Sequence, residues 1–125
     1  MRRHCKKNQN DLDARFQLSV ALFYIGDFQR SVDEFEKVES RLPFRALWYQ
    51  IEPIQAYMAL GDYERVFVLT DKILNNQNRA FSELYYMRGK IYQEQGQNEL
   101  ARAEFEKAVR YNQNFVLAKQ ALQSF

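Results

Sequence analysis

Residues 24–38 read YIGDFQRSVDEFEKV, residues 58–73 read MALGDYERVFVLTDKI, and residues 93–109 read QEQGQNELARAEFEKAV. Gly26, Gly61 and Gly96 stand 35 residues apart in this threefold echo. Self-similarity at a period of ~20–50 residues marks a chain built from one supersecondary unit set beside copies of itself. The period therefore governs how every other residue is read.

Between the glycines, apolar residues recur at helical spacing. Ala14, Leu18, Ala21, Leu22 and Ile25 fall at i, i+4, i+7, i+8 and i+11, which predicts a helix over about 11–25 with this stripe as its core face. Gly26 ends that helix and Asp27 caps the next, which runs to about residue 40 with Val32, Phe35 and Val38 inward and Glu34, Glu36 and Lys37 outward. Pro43 stops it. The pattern then repeats, with helices expected over about 44–60, then from Asp62 to about 74, over 80–95, and from the Gly96 turn to about 111. A last short helix over 115–124 places Leu117, Ala118, Ala121 and Leu122 on one side, as a cap over the final apolar flank. Pro53 falls inside the third expected helix, where a missing N–H and a clash with the Tyr49 carbonyl predict a kink.

The composition agrees with a helical chain. There are 125 residues, 46% hydrophobic and 27% charged, with only two prolines and four glycines. No apolar run reaches the ~18 residues of a membrane span, and no apolar segment follows the basic start as in a secretory signal, so the default expectation is a cytoplasmic location. Arg2, Arg3, Lys6 and Lys7 carry four of the eighteen positive charges, which leaves fourteen against sixteen acids and a body that is slightly acidic. The basicity thus belongs to residues 1–11, read as a flexible tail. Cys5 and His4 are the only cysteine and histidine and sit in that tail, too few ligands for zinc.

The third unit carries a more specific signal: Tyr85-x-x-Arg88-Gly89-x-x-Tyr92, then Ala101-x-x-x-Phe105 and Ala108. This resembles the tetratricopeptide repeat (TPR) pattern W-x₂-L-G-x₂-Y…A-x₃-F…P, with Tyr for Trp, Arg for Leu and Gln113 at the usual Pro. The first unit keeps Leu18, Phe35 and Pro43 but has Ser19, Leu22 and Ser31 where Gly, Tyr and Ala are usual. The second keeps Tyr57 and Gly61 but has Pro53 and Ile54 at the Leu-Gly site. The resemblance implies an all-α, right-handed superhelical stack of about seven helices. Its segments are repeats at 12–46, 47–81 and 82–115, and a capping helix at 116–125. It also implies a concave groove lined by the first helix of each pair.

On those first helices a second stripe lies opposite the expected core stripe. It comprises Phe16, Val20, Phe23 and Tyr24 on the first helix, and Trp48, Ile51 and Met58 with Glu52 and Gln55 on the third. On the fifth it becomes polar, with Tyr86, Met87 and Lys90. These residues are expected to bind a peptide or protein segment, with the apolar ones as anchors and Gln55, Tyr86 and Lys90 fixing orientation. The stripe equally suits packing against a further domain, another repeat or a second copy of the chain.

Several functions are disfavoured. TPRs that grip a chaperone's C-terminal carboxylate use Lys, Asn and Arg at places that here hold Phe16, Val20, Glu52, Glu83 and Met87, so that ligand is not expected. Specific nucleic-acid binding needs a basic groove, and Glu52, Glu83 and Glu94 accompany these aromatics instead. There is no Gly-rich phosphate loop and no histidine or cysteine outside the tail to pair as base and nucleophile, so neither catalysis nor a cofactor is expected. Residues 42–66 (LPFRALWYQIEPIQAYMALGDYERV) and 83–96 (ELYYMRGKIYQEQG) are similar to TPR segments attached to bacterial papain-fold peptidases of the C39-like type. That resemblance implies an accessory, non-catalytic part of a larger enzyme.

Overall fold

The computed structural model describes residues 2–42, 50–76 and 78–125, with side chains from Asp11 onward. All regular structure among these residues is helical: α1 (Arg2–Tyr24), α2 (Phe28–Val38), a 3₁₀ turn (Glu39–Arg41), α3 (Glu52–Ala59), α4 (Tyr63–Asn76), α5 (Ser82–Glu94), α6 (Asn98–Tyr111) and α7 (Val116–Gln123). They fall into two compact units, residues 1–66 and 67–125, with the division inside α4.

Each glycine mark ends a helix in the same way. Gly26 has φ +86°, its N–H donates to the Phe23 carbonyl at 3.0 Å, and the Asp27 N–H donates to the Leu22 carbonyl at 2.9 Å. This is the pair of reversed bonds that closes a helix through a left-handed residue, a conformation that glycine adopts without steric cost. Gly61 (φ +77°) and Gly96 (φ +75°) repeat it, with Asp62 donating to Tyr57 and Gln97 to Tyr92. Asp27 then caps α2 by accepting from the Arg30 N–H at 3.2 Å.

In the N-terminal unit, α1 packs against α2 and both pack against α3. The helices of the first pair meet at two serines. Ser19 Oγ donates to the Ser31 carbonyl and Ser31 Oγ to the Ser19 carbonyl, each at 2.7 Å, and both residues are fully buried. A hydroxyl that reaches the opposite helix's backbone sets the two axes close together. Phe35 fills the space beside this contact, 6.3 Å from the rings of both Phe16 and Tyr57. In the C-terminal unit the equivalent places are Gly89 and Ala101, and a Cβ on Gly89 would lie 2.6 Å from the Phe105 ring. The small residues at these two places serve one purpose, which is to let the second helix of a pair approach the first.

Three expectations are corrected. First, α1 begins at Arg2 rather than near residue 11, so residues 2–10, expected as a flexible tail, continue the helical backbone. No Gly or Pro interrupts them, and Arg, Lys and Gln are good helix formers. Second, Pro53 kinks nothing: Gln50 and Ile51 are not helical, and α3 starts at Glu52 with Pro53 in its first turn, where the absent N–H leaves no bond unmade. Third, in α1 the core lies on the other stripe. Leu12, Phe16, Val20 and Leu22 are buried, whereas Ala14, Leu18, Ala21 and Ile25 are exposed apart from their shared neighbour Leu22. Phe16 and Val20 carry far more apolar area than a pair of alanines, so burying their face removes more of it from water. Pro43, Tyr49 and Trp48 lie outside the described residues.

The last helix, α7, packs on α6 and buries Ala118, with Ala121 and Leu122 half-covered. Leu117, expected on the same side, is exposed. The Phe125 ring beyond it stands 6.1 Å from Phe105.

The Gly89–Phe105 contact makes a prediction. Gly89→Ala gains about 1 kcal/mol of helix propensity, yet the overpacking against Phe105 should cost about 1–3 kcal/mol, and urea unfolding should show a lower midpoint. A raised midpoint would mean that the two helices have room to spare there.

Candidate partner-binding surface

In the N-terminal unit, α3 lies along the side of α1 on which the sequence places a partner. The Gln17 and Gln50 amides donate to each other's carbonyls at 2.8 and 3.2 Å. Two turns on, the Tyr24 hydroxyl donates to Glu52 Oε2 at 2.6 Å. Phe16, Val20 and Ile51 are 4–8% exposed, so these three anchors are spent on the chain's own core. Phe23, Glu52, Gln55 and Met58 are half-buried. Trp48 lies outside the described residues.

Among the described residues of the set, Tyr24 is the exposed one, at 69%. It is also held on two sides. The Phe23 ring meets it edge-on at 5.3 Å and itself rests 5.5 Å from Phe28, while Glu52 holds the hydroxyl from the other side. The hydrogen bond to Glu52, together with that carboxylate's charge, pushes the Tyr24 phenol above its ordinary value. Glu52 Oε1 has no hydrogen-bond partner among the described residues. Gln17 and Gln50 escaped the sequence reading because neither is apolar. The available signal was that Gln17 stands two helical turns before Tyr24, on the same face.

In the C-terminal unit, Met87 is buried, and Tyr86 is half-buried between Phe105 at 5.7 Å and Phe115 at 5.2 Å. Lys90 is half-buried and Glu83 and Glu94 are exposed on the same helix.

Two polar clusters near these surfaces have structural roles. Tyr57, almost wholly buried, donates to Glu36 at 2.9 Å, and Arg65 lies over its ring at 5.0 Å while pairing with Glu39. Burial pushes the Tyr57 hydroxyl well above its usual range. Arg88, which stands where the repeat pattern has Leu, donates to Thr70 at 3.1 Å and to Asp71, lies 5.0 Å over the Phe67 ring, and stands 3.5 Å from Glu104. Glu104 is only 7% exposed, so it is not the solvated outer residue that its sequence neighbours suggest.

No helix among the described residues is long and apolar enough to cross a membrane, and no cluster of three or more potential metal ligands occurs among them. No curated protein and no solved structure matches the chain. Residues 82–115 match the family model described as tetratricopeptide repeat. The match spans α5, the Gly96 turn and α6, the two helices joined by the Gly89–Phe105 contact.

Proposed function

We propose that the chain is a non-catalytic interaction module that holds a protein segment against the Tyr24–Glu52 side of α1 and α3. A tetratricopeptide repeat suggests protein partners, and the family is generally non-catalytic. The observation that carries the site is an exposed aromatic ring fixed on both sides, by Phe23 and by Glu52. A rigid, amphipathic Tyr loses little freedom when a partner covers it, which is the usual character of a binding hot spot. The acid beside it favours a segment that brings a basic residue along with an apolar one. In the C-terminal unit Tyr86 and Lys90 offer a second pair of orienting groups.

The test is selection from a displayed peptide library, followed by affinity measurement on the purified chain. Peptides enriched on the native chain should bind Tyr24→Ala at least ~10-fold more weakly and should contain Lys or Arg. Equal affinity for both proteins would remove Tyr24 from the site. A concentration-dependent dimer that Tyr24→Ala dissociates would make a second copy the occupant.

The Tyr24–Glu52 bond can be checked without any partner. Followed by NMR of the labelled ring, Tyr24 should titrate above an ordinary tyrosine in the native chain and fall toward the ordinary value in Glu52→Gln. An unchanged titration would show that the ring is not held.

A further inference from the structure

We infer that the exposed ring of Tyr24 receives an arginine side chain of the partner segment, its guanidinium stacked on the ring with an N–H edge turned toward Glu52. The inference deepens the reading above, on which it rests for the partner, by naming the residue that partner brings and by setting arginine apart from lysine.

The first observation behind it is an uncompensated charge. Among the described residues, Asp27, Glu34, Glu39 and Glu104 are carboxylates withdrawn from full exposure, and each has a cation at 3.9 Å or less. Glu52 is half-buried as well, yet no cation among the described residues pairs with it. It holds only the neutral Tyr24 hydroxyl, at 2.6 Å on Oε2, while Oε1 is shut off from solvent without a bond. Drawn back from water, such a carboxylate attracts a cation more strongly than a solvated one does.

The second observation is that the N-terminal unit contains the completed arrangement elsewhere. The Tyr57 hydroxyl donates to Glu36 at 2.9 Å, as that of Tyr24 does to Glu52. Over the Tyr57 ring lies the Arg65 guanidinium, 5.0 Å from the centroid, and its Nη2 reaches both the Tyr57 oxygen at 3.4 Å and Glu39. At Tyr24 the phenol and the carboxylate are in place, and no guanidinium among the described residues covers the ring.

The chemistry favours arginine over lysine. A planar guanidinium lies flat on an aromatic face, keeps its N–H groups in its own plane for acceptors at the ring's edge, and is more weakly hydrated than an ammonium. Lys107 marks the contrast: its ammonium stands 5.7 Å from the Tyr85 ring, whose hydroxyl donates to the Arg79 carbonyl rather than to a carboxylate.

The probes are methylguanidinium and methylammonium chloride, the charged ends of the two side chains, titrated at matched ionic strength into the full chain with labelled tyrosine rings. Followed by NMR, the Tyr24 ring should saturate with methylguanidinium at a concentration at least ~5-fold lower than with methylammonium. Tyr111, exposed and stacked on Tyr85 without an acid on its hydroxyl among the described residues, should not distinguish the two cations. Glu52→Gln should abolish the preference at Tyr24, with circular dichroism checking that the variant folds. Equal saturation by both cations, a Tyr24 response no different from that of Tyr111, or a preference that survives Glu52→Gln would each overturn the inference. The comparison on the native chain needs neither a variant nor a partner. Library peptides that lose affinity for Tyr24→Ala but keep it when their arginine is replaced by lysine would overturn this inference and leave the interaction module standing.

Discussion

The close approach of two helices at a pair of small residues sets the geometry of each unit. In the first pair the approach is fastened by hydroxyls, Ser19 and Ser31 each reaching the other helix's backbone carbonyl at 2.7 Å. In the last pair it is permitted by absence, since Gly89 leaves its place to the Phe105 ring. The two solutions are physically different. A bare glycine costs backbone entropy in a helix but places no polar atom in the core, whereas a buried serine is tolerable only because its hydroxyl is bonded. Both deliver the same result, an aromatic ring at Phe35 or Phe105 locked against the first helix.

Polar groups drawn into the two cores are answered by partners. Arg88 stands where the pattern has Leu, and a lone guanidinium in a half-buried place would be costly. Thr70, Asp71, Glu104 and the Phe67 ring surround it. Such a pair adds little net stability against apolar residues of equal size, but removing one member strands the other charge, at about 3–5 kcal/mol for a buried pair. Glu104 is buried for the same reason that Arg88 is present. Likewise Tyr57 brings a hydroxyl into the N-terminal core and finds Glu36 there.

The turns were legible in the sequence because glycine at φ near +80°, followed at two of the three turns by an acid, forms a local code that tertiary context does not alter. The all-helical class and the third repeat were legible for the same reason, their signals being spacing and residue type. What remained hidden depended on neighbours. The α1 periodicity offered two stripes almost opposite one another, and only the arrival of α3 along Gln17 and Tyr24 decides that Phe16 and Val20 go inward and Leu18 outward. The site suffered accordingly, for three of its expected anchors became core. Pro53 misled because the start of a helix at Glu52 carries no strong sequence mark: Ile51 makes no side-chain cap.

The most direct test of the helix-contact account is urea unfolding of Ser19→Val, followed by far-UV circular dichroism. Valine is more apolar than serine and would stabilise the chain if burial alone mattered. If the helices are held at hydroxyl-to-carbonyl distance, the added bulk and the lost bond should lower stability by about 1–3 kcal/mol. A midpoint equal to or above that of the native chain would contradict the close approach as the constraint on which the first helix pair depends.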